Sequence, residues 1–422
     1  MITRRACLGG LGSLAVWGAG KPTTVLLRSG WQSVNIGDIT HTPGALTLLE
    51  KAMPEAKVIL WPGEIERGVE PMLMRRFPKL SIAKGTLDEA GKPTTPELQA
   101  AFGEAQLCIH GSAAGVQSPA LFESWHKLTG RPYGFLGIGF TFTGEAASTK
   151  GDDRVQAMLR GAKFVFARET DSLKNLTKAA IQGPQLGFCP DATFSFGIRD
   201  DARGNAYLKA EGLQPKRFIA VVPRLRLTPY HLIRKTSYSQ EEIARRTQIN
   251  EKWAEHDHAK LREAIVAYVR KTGNKVLLCP EMTYELDIID PLLFRPLPDD
   301  VKRNVVVRKT YWLPDEAASI YHHASLVLSC ECHSPIIAAA AGTPCMYVHQ
   351  PEDGIKGRMY PDIGLSDWYF EVEQAAGADI AARVLEAVGN PKAAERKVAE
   401  AVSFARAKQA EAMVAVKAAA GA

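Results

Sequence analysis

After its first twenty residues the sequence has no apolar run of about 18 residues, the least that a membrane-crossing helix needs. No later segment is therefore expected to span a bilayer. Cysteine is sparse and scattered, with seven residues at 7, 108, 189, 279, 330, 332 and 345. An odd count without regular spacing excludes a disulfide framework. Several of these cysteines end apolar runs, where the side chain behaves as a small hydrophobe. There is no dense block of Lys or Arg: 52 basic and 46 acidic residues are spread along the chain for a net charge of +6. Nucleic acid is therefore not an expected partner, whereas a local basic pocket for an anionic ligand stays open. No internal repeat of fixed period is present.

The chain has 422 residues, 46% of them hydrophobic and 23% charged. That is the balance of a soluble globular protein too long for one core, and two domains of roughly 150–200 residues are expected. The N-terminus "MITRRACLGGLGSLAVWGAGKP" stands apart. Arg4 and Arg5 precede an apolar run from Ala6 to Ala19, a pattern that resembles a twin-arginine export signal. Residues 1–20 are read as a signal peptide and the protein as exported, periplasmic or extracytoplasmic. No clean small-x-small cleavage site follows.

Short apolar runs bounded by turns alternate with amphipathic stretches. The runs 23–29, 56–62, 105–111, 133–139 and 162–168 read as buried strands, with helical patterns at 44–53, 118–130 and 169–181 between them. A second series lies at 217–223, 275–280, 304–309, 324–330 and 344–350. A long helix opens at Ser239, where Ser-Gln-Glu-Glu reads as a capping box with Glu242. This is the signature of βαβ units and parallel sheets. The fold class is α/β, with two open parallel sheets in tandem: residues 21–200, residues 201–374, and a helical tail over 375–422 packed across both. The linker is placed at 197–216. Ligands of such folds bind at the carboxyl ends of the strands, so the loops there carry the functional expectation.

After the first strand, Asn35, Gly37, Asp38 and His41 cluster ahead of a helix whose N-terminus can face an anion; an Asn/Gly/Asp turn with capping explains the same residues. The loops "HGSAAGV" (110–116) and "GIGFTFTG" (137–144) are small enough for a ligand to approach the backbone. Arg168 ends a strand and either holds an anion in the cleft or pairs with Glu169 or Asp171. Arg224 and Arg226 follow a strand of the second series. In "SCECHSPIIAAAAGTP" (329–344), Ser334 is the expected helix cap, Pro335 suits the first turn and Gly342 ends the helix. His333 then sits at a strand end beside a helix N-terminus. A zinc site built on Cys330, Cys332 and His333 lacks an evident fourth ligand, so no metal is expected. His256 and His258, two residues apart on a helix, point in different directions and are read as polar surface.

Taken together, "NIGD" (35–38), "FARETDSLKNL" with "CPDATF" (189–194), "CPEMTYELD" (279–287), "CECHSPIIAAAAGTP" and "GIKGRMYPDIGL" (354–365) resemble, in order, the motifs of the polysaccharide pyruvyl transferase family. The resemblance runs from about residue 23 to 370. It implies two Rossmann-like lobes in a GT-B-like arrangement, with transfer of a pyruvyl group from phosphoenolpyruvate to glycan hydroxyls to form a ketal and no cofactor. It implies His333 as general acid, Arg168 and Lys356 as holders of the anionic donor, and Asn35 and Asp38 as residues that orient the acceptor or the histidine, with Asp38 in the catalytic group. His41, Arg224 and Glu331 complete the expected donor or substrate contacts. The family pattern Arg-x-His is here Glu331-Cys332-His333, which puts a carboxylate where a cation is expected and leaves Arg224, Arg226 or Arg358 to compensate. Two other functions suit the same scaffold: a non-catalytic exported glycan-binding protein, or a glycosyltransferase acting from a sugar nucleotide.

Overall fold

The structure, a computed structural model, describes residues 22–141 and 153–421. The expected signal segment 1–20 and residues 142–144 of the loop at 137–144 lie outside the described residues. Thirteen described strands form two parallel sheets. The first contains β1 (Thr24–Ser29), β2 (Lys57–Pro62), β3 (Ser81–Ile82), β4 (Leu107–His110), β5 (Tyr133–Ile138), β6 (Phe164–Ala167) and β7 (Gln185–Phe188). Their order is β3-β2-β1-β4-β5-β6-β7. The second contains β8 (Phe218–Val222), β9 (Lys275–Leu278), β10 (Val305–Val307), β11 (Leu326–Ser329), β12 (Cys345–His349) and β13 (Tyr369–Glu371), in the order β10-β9-β8-β11-β12-β13. The central strands are buried throughout apart from Arg28 of β1, because helices cover both faces and both must be largely apolar.

Chain order reverses direction between β1 and β4 in the first sheet and between β8 and β11 in the second. Neighbouring loops diverge at these two points and leave crevices at the strand ends. The loops after β1 and β11, which carry the expected site residues, lie there. The strands that sequence reading missed, β3, β7 and β13, are short and peripheral; their residues are at most half-buried and lack a long apolar run.

Three local expectations change. The 197–216 linker contains a helix, Asp201–Ala210, capped by Asp200 and anchored by buried Leu208. The first helix begins at Ile36 rather than 44 and carries Pro43 inside it. Its start is set by the Asn35 cap, and its polar, proline-containing first turns hid it from a periodicity search. At Ser239 the hydroxyl accepts the Glu242 N–H as expected, but the Glu242 carboxylate binds Arg245 and Arg246 instead of closing the capping box. The helix then runs without a break from Gln240 to Thr272.

The lobes are stitched by backbone. Asn35 pairs with Met282 in an antiparallel bridge, and the Ile36 N–H donates to the Glu281 carbonyl at 3.0 Å. The C-terminal helix Pro391–Ala419 places Ala394, Val398 and Ala405 in the core of the second lobe and Met413 and Val416 in that of the first. Among the described residues no helix is long and apolar enough to cross a membrane.

Candidate functional site

The Asn35 side chain accepts the Gly37 and Asp38 N–H groups at 2.7 and 3.3 Å and starts the Ile36–Ala52 helix. Asn35 lines the cleft, but its side-chain oxygen is committed to that cap. Gly37 is required by close approach: a Cβ there would lie 2.5 Å from the Cβ, Cγ and Nδ1 of His333. Asp38 and His41, three residues apart, share a helix face; His41 Nε2 is 3.6 Å from Asp38 Oδ1 and Nδ1 is 3.0 Å from Asp191 Oδ1.

Asp191 is the hub of the first lobe. It follows β7 and also meets Arg168 Nη1 at 3.1 Å and His333 Nε2 at 3.5 Å. Arg168 is fully buried and pairs with both Glu169 and Asp191. Its Nη2 has no hydrogen-bond partner. The local pair with Glu169 and the cleft position, alternatives in sequence, are both realised.

In the second lobe β11 leads through Glu331 and Cys332 to His333, the first residue of the His333–Ala340 helix. Ser334 does not cap that helix. Its own N–H donates to Glu281 Oε2 at 2.5 Å, so the cap comes from the loop after β9. Glu281 Oε1 lies 3.5 Å from His333 Nδ1. The rings of His41 and His333 meet edge to face, 4.9 Å between centroids. Arg224 is held by Glu331 at 3.0 Å and Asp353 at 2.6 Å. Arg226 and Arg358 do not compensate for Glu331: Arg226 binds Asp257 and Glu373, and Arg358 binds Glu371.

Sequence reading missed Asp191, Glu281 and Glu285 as individual site residues. A signal existed. Cys-Pro-Asp at 189–191 and Cys-Pro-Glu at 279–281 each follow a strand, one per lobe, and both carboxylates end on His333.

Burial pushes the His333 imidazole down, yet its neighbours raise it well above the ordinary value. The Cys332 thiol, itself pushed up to about 11 by burial, is uncharged near neutrality, so Asp191 and Glu281 carry the effect and His333 is an imidazolium. Burial opposes ionisation of Asp38 and Asp191, but the two histidines win, drawing Asp38 down to about 2 and Asp191 well below its usual range. Burial, opposed by Arg224 and reinforced by Glu281 and Asp353, lifts Glu331 to about 7. Burial, then Glu331 and Glu281, hold Glu285 well above the carboxylate range; it accepts the Glu281 and Met282 N–H groups and fixes the Glu281 loop.

All eight expected residues, Asn35, Asp38, His41, Arg168, Arg224, Glu331, His333 and Lys356, line one cavity of about 200 Å³ between the lobes. Trp31, Gln32, Tyr230 and Arg234 complete its wall. Lys356 has no ion pair among the described residues, and burial and Arg224 fail to lower it because Asp353, Tyr230 and Glu331 raise it. His41, Asp191 and His333 are the one described group whose ligand atoms lie close enough, within 4.8 Å, to hold a metal ion. Cys330 and Cys332 are not in it.

The model of the family described as polysaccharide pyruvyl transferase matches residues 35–348. The chain belongs to this family. Solved structures with the same GT-B-type fold include the UDP-GlcNAc 2-epimerase from Neisseria meningitidis bound to UDP-GlcNAc, at 12% identity and TM-score 0.52 over 89% of this chain and 94% of that one. The UDP-GlcNAc 2-epimerase from Methanocaldococcus jannaschii matches at 11% identity and TM-score 0.53, over 86% and 92%. UGT71G1 from Medicago truncatula, complexed with UDP-glucose, matches at 10% identity and TM-score 0.52, over 92% and 94%. These likenesses establish the fold alone. The comparison with curated proteins gives no match.

Proposed function

We propose that this member of the pyruvyl transferase family transfers the pyruvyl group of phosphoenolpyruvate to two hydroxyls of a glycan residue, forming a ketal and releasing phosphate. One observation carries the proposal: the imidazolium of His333, the unpartnered Nη2 of Arg168 and the unpaired ammonium of Lys356 converge on one small cavity. Its volume of about 200 Å³ suits a three-carbon donor; it falls below the ~300 Å³ at which sites for larger ligands begin.

His333 gives its proton to the donor methylene, leaving positive charge on C2. Arg168 and Lys356 hold the carboxylate and phosphate. Asp38, ionised and a poor base, accepts a hydrogen bond from the attacking hydroxyl and aims it at C2. The phosphate then leaves with its bridging oxygen, and the second hydroxyl closes the ketal. Of the two hydroxyl protons released, one restores His333 and the other departs on the phosphate.

The test is calorimetric titration of phosphoenolpyruvate into the protein. Binding at millimolar affinity or better, lost on Lys356→Ala, is the expected result. Failure to bind refutes the proposal; binding of UDP in its place supports a glycosyltransferase, and binding of neutral oligosaccharide alone supports a glycan-binding protein.

A further inference from the structure

A second cavity, of about 530 Å³, opens in the first lobe alone. Its floor is Arg28, the next-to-last residue of β1, and Trp61, the next-to-last of β2. The Arg28 guanidinium lies between two indoles, 5.1 Å from the Trp61 ring and 5.7 Å from the Trp31 ring. Its Nη1 donates to the Trp61 carbonyl at 3.2 Å, and its buried Nε has no partner. No carboxylate pairs with Arg28 among the described residues. Burial draws its pKa down to about 10, opposed by the Cys108 thiol and by no carboxylate. A half-buried cation without a counter-ion is costly, and structures normally pair such groups.

The rest of the lining is mixed: Ser118, Ser124, Thr86 and the backbone around Gly85 and Gly91 are its polar part, and Leu87, Ala90, Ala120 and Leu121 its apolar part. Lys127, exposed and without an ion pair among the described residues, stands at the rim. Three carboxylates also line the cavity. Asp88 accepts the Lys92 N–H, Glu123 is bound by Arg154, and Glu89 is exposed. The lining thus carries three cations, Arg28, Lys127 and Arg154, and three carboxylates, and Arg28 and Lys127 have no carboxylate partner among the described residues.

This cavity adjoins the one that holds His333. Trp31 lines the His333 cavity and touches Arg28 on the other side. Gln117 lines the first cavity and Ser118 the second. Ser118 has φ +50°, a left-handed conformation that costs a non-glycine residue ~1–2 kcal/mol. Such strain clusters where a ligand is handled.

We infer that this cavity is a subsite for an acidic sugar of the acceptor chain, with the sugar carboxylate on Arg28 and its hydroxyls on the serine and backbone lining. The saccharide identity rests on the glycan acceptor proposed above. The anion does not, because it follows from the unpaired guanidinium.

The experiment titrates trigalacturonate, and in parallel neutral maltotriose, free acetate and phosphoenolpyruvate, into the full chain by calorimetry. Trigalacturonate is expected to bind about tenfold more tightly than maltotriose, as one charge-assisted hydrogen bond supplies. Arg28→Gln should erase that difference while leaving phosphoenolpyruvate affinity unchanged. Ala90→Trp, an exposed change that fills the cavity mouth without touching Arg28, should erase it too and keeps the test valid if Arg28→Gln folds poorly. Acetate binding as tightly as the trisaccharide would overturn the saccharide assignment. Equal affinity for the charged and neutral trisaccharides, or affinity unaffected by Ala90→Trp, would overturn the subsite. If phosphoenolpyruvate binds and trigalacturonate does not, only this inference fails; the reverse result removes the proposed transfer chemistry and leaves the subsite standing.

Discussion

Single residues set the electrostatics of the cleft. Glu331 stands where the family resemblance leads one to expect arginine, and it ties Arg224 into an ion pair instead of leaving it to a donor. With a pKa of about 7, it loses its charge as pH falls through neutrality. Donor binding should therefore tighten as pH drops from 8 to 6, and Glu331→Gln should bind about tenfold more tightly at pH 8, roughly 1.4 kcal/mol, with this part of the pH dependence gone; titrations of both proteins at pH 6 and pH 8 check this. Gly37 is a second pivot. Gly37→Ala places a methyl group against His333, and overpacking of this kind costs ~1–3 kcal/mol; a lowered Tm together with reduced turnover is expected. His333 opens its helix but is buried between Asp191 and Glu281, so His333→Ala will cost stability as well as activity, and His333→Gln is the cleaner probe. Arg168→Ala strips a cation from two fully buried carboxylates and should cost ~3–5 kcal/mol by denaturant unfolding, beyond any loss of donor binding.

Elements decide which loops reach the site. The Ile36–Ala52 helix aims its N-terminus at His333, and at Gly44 it crosses so close to the 189–194 loop that a Cβ would sit 2.1 Å from the Ala192 carbonyl. The C-terminal helix holds that same loop from behind: Gln409 donates to the Pro190 and Asp191 carbonyls and accepts from the Ser195 hydroxyl. Gln409→Leu leaves those buried groups unpaired. It should cost ~1–3 kcal/mol and slow turnover while donor affinity changes little, because the helix touches the anchor of Asp191 and not the cavity. Thermal melts beside initial-rate kinetics separate the two effects.

At the scale of the whole molecule, two cores are joined by the Asn35–Met282 bridge and by one helix that enters both. Calorimetry should show a single unfolding transition, and truncation at residue 390 should split or abolish it. The site also makes stability depend on pH. His333 is raised in the folded state, so its contribution is complete below the unfolded value of about 6.5 and disappears as pH rises through the folded pKa. Asp38 and Asp191 are depressed, so theirs is complete above about 3.9 and is lost as pH falls toward 2. Glu331 and Glu285, also raised, add to the decline as pH rises above their unfolded value of about 4.3. Unfolding free energy should consequently fall on both sides of the acidic range, and His333→Gln should lessen the decline at higher pH without abolishing it.

The sequence by itself determined the α/β class, the central strands and the pocket residues that stand directly after them. Local apolar runs mark buried parallel strands, and the carboxyl end of such a strand is where a side chain reaches the crevice. That is why residues as far apart as Asn35, Arg168 and His333 could be grouped before their contacts were known. The short edge strands, the helix inside 197–216 and the early start at Ile36 were not legible, because half-buried edges and capped polar turns carry no periodic signal. Only the tertiary structure decided that Glu281 caps the His333 helix in place of Ser334, that Asp191 bridges Arg168 and two histidines, and that Glu331 neutralises Arg224. Each of these is a contact between loops of different strands, and ionisation in a buried site depends on which charges the fold brings within a few ångströms.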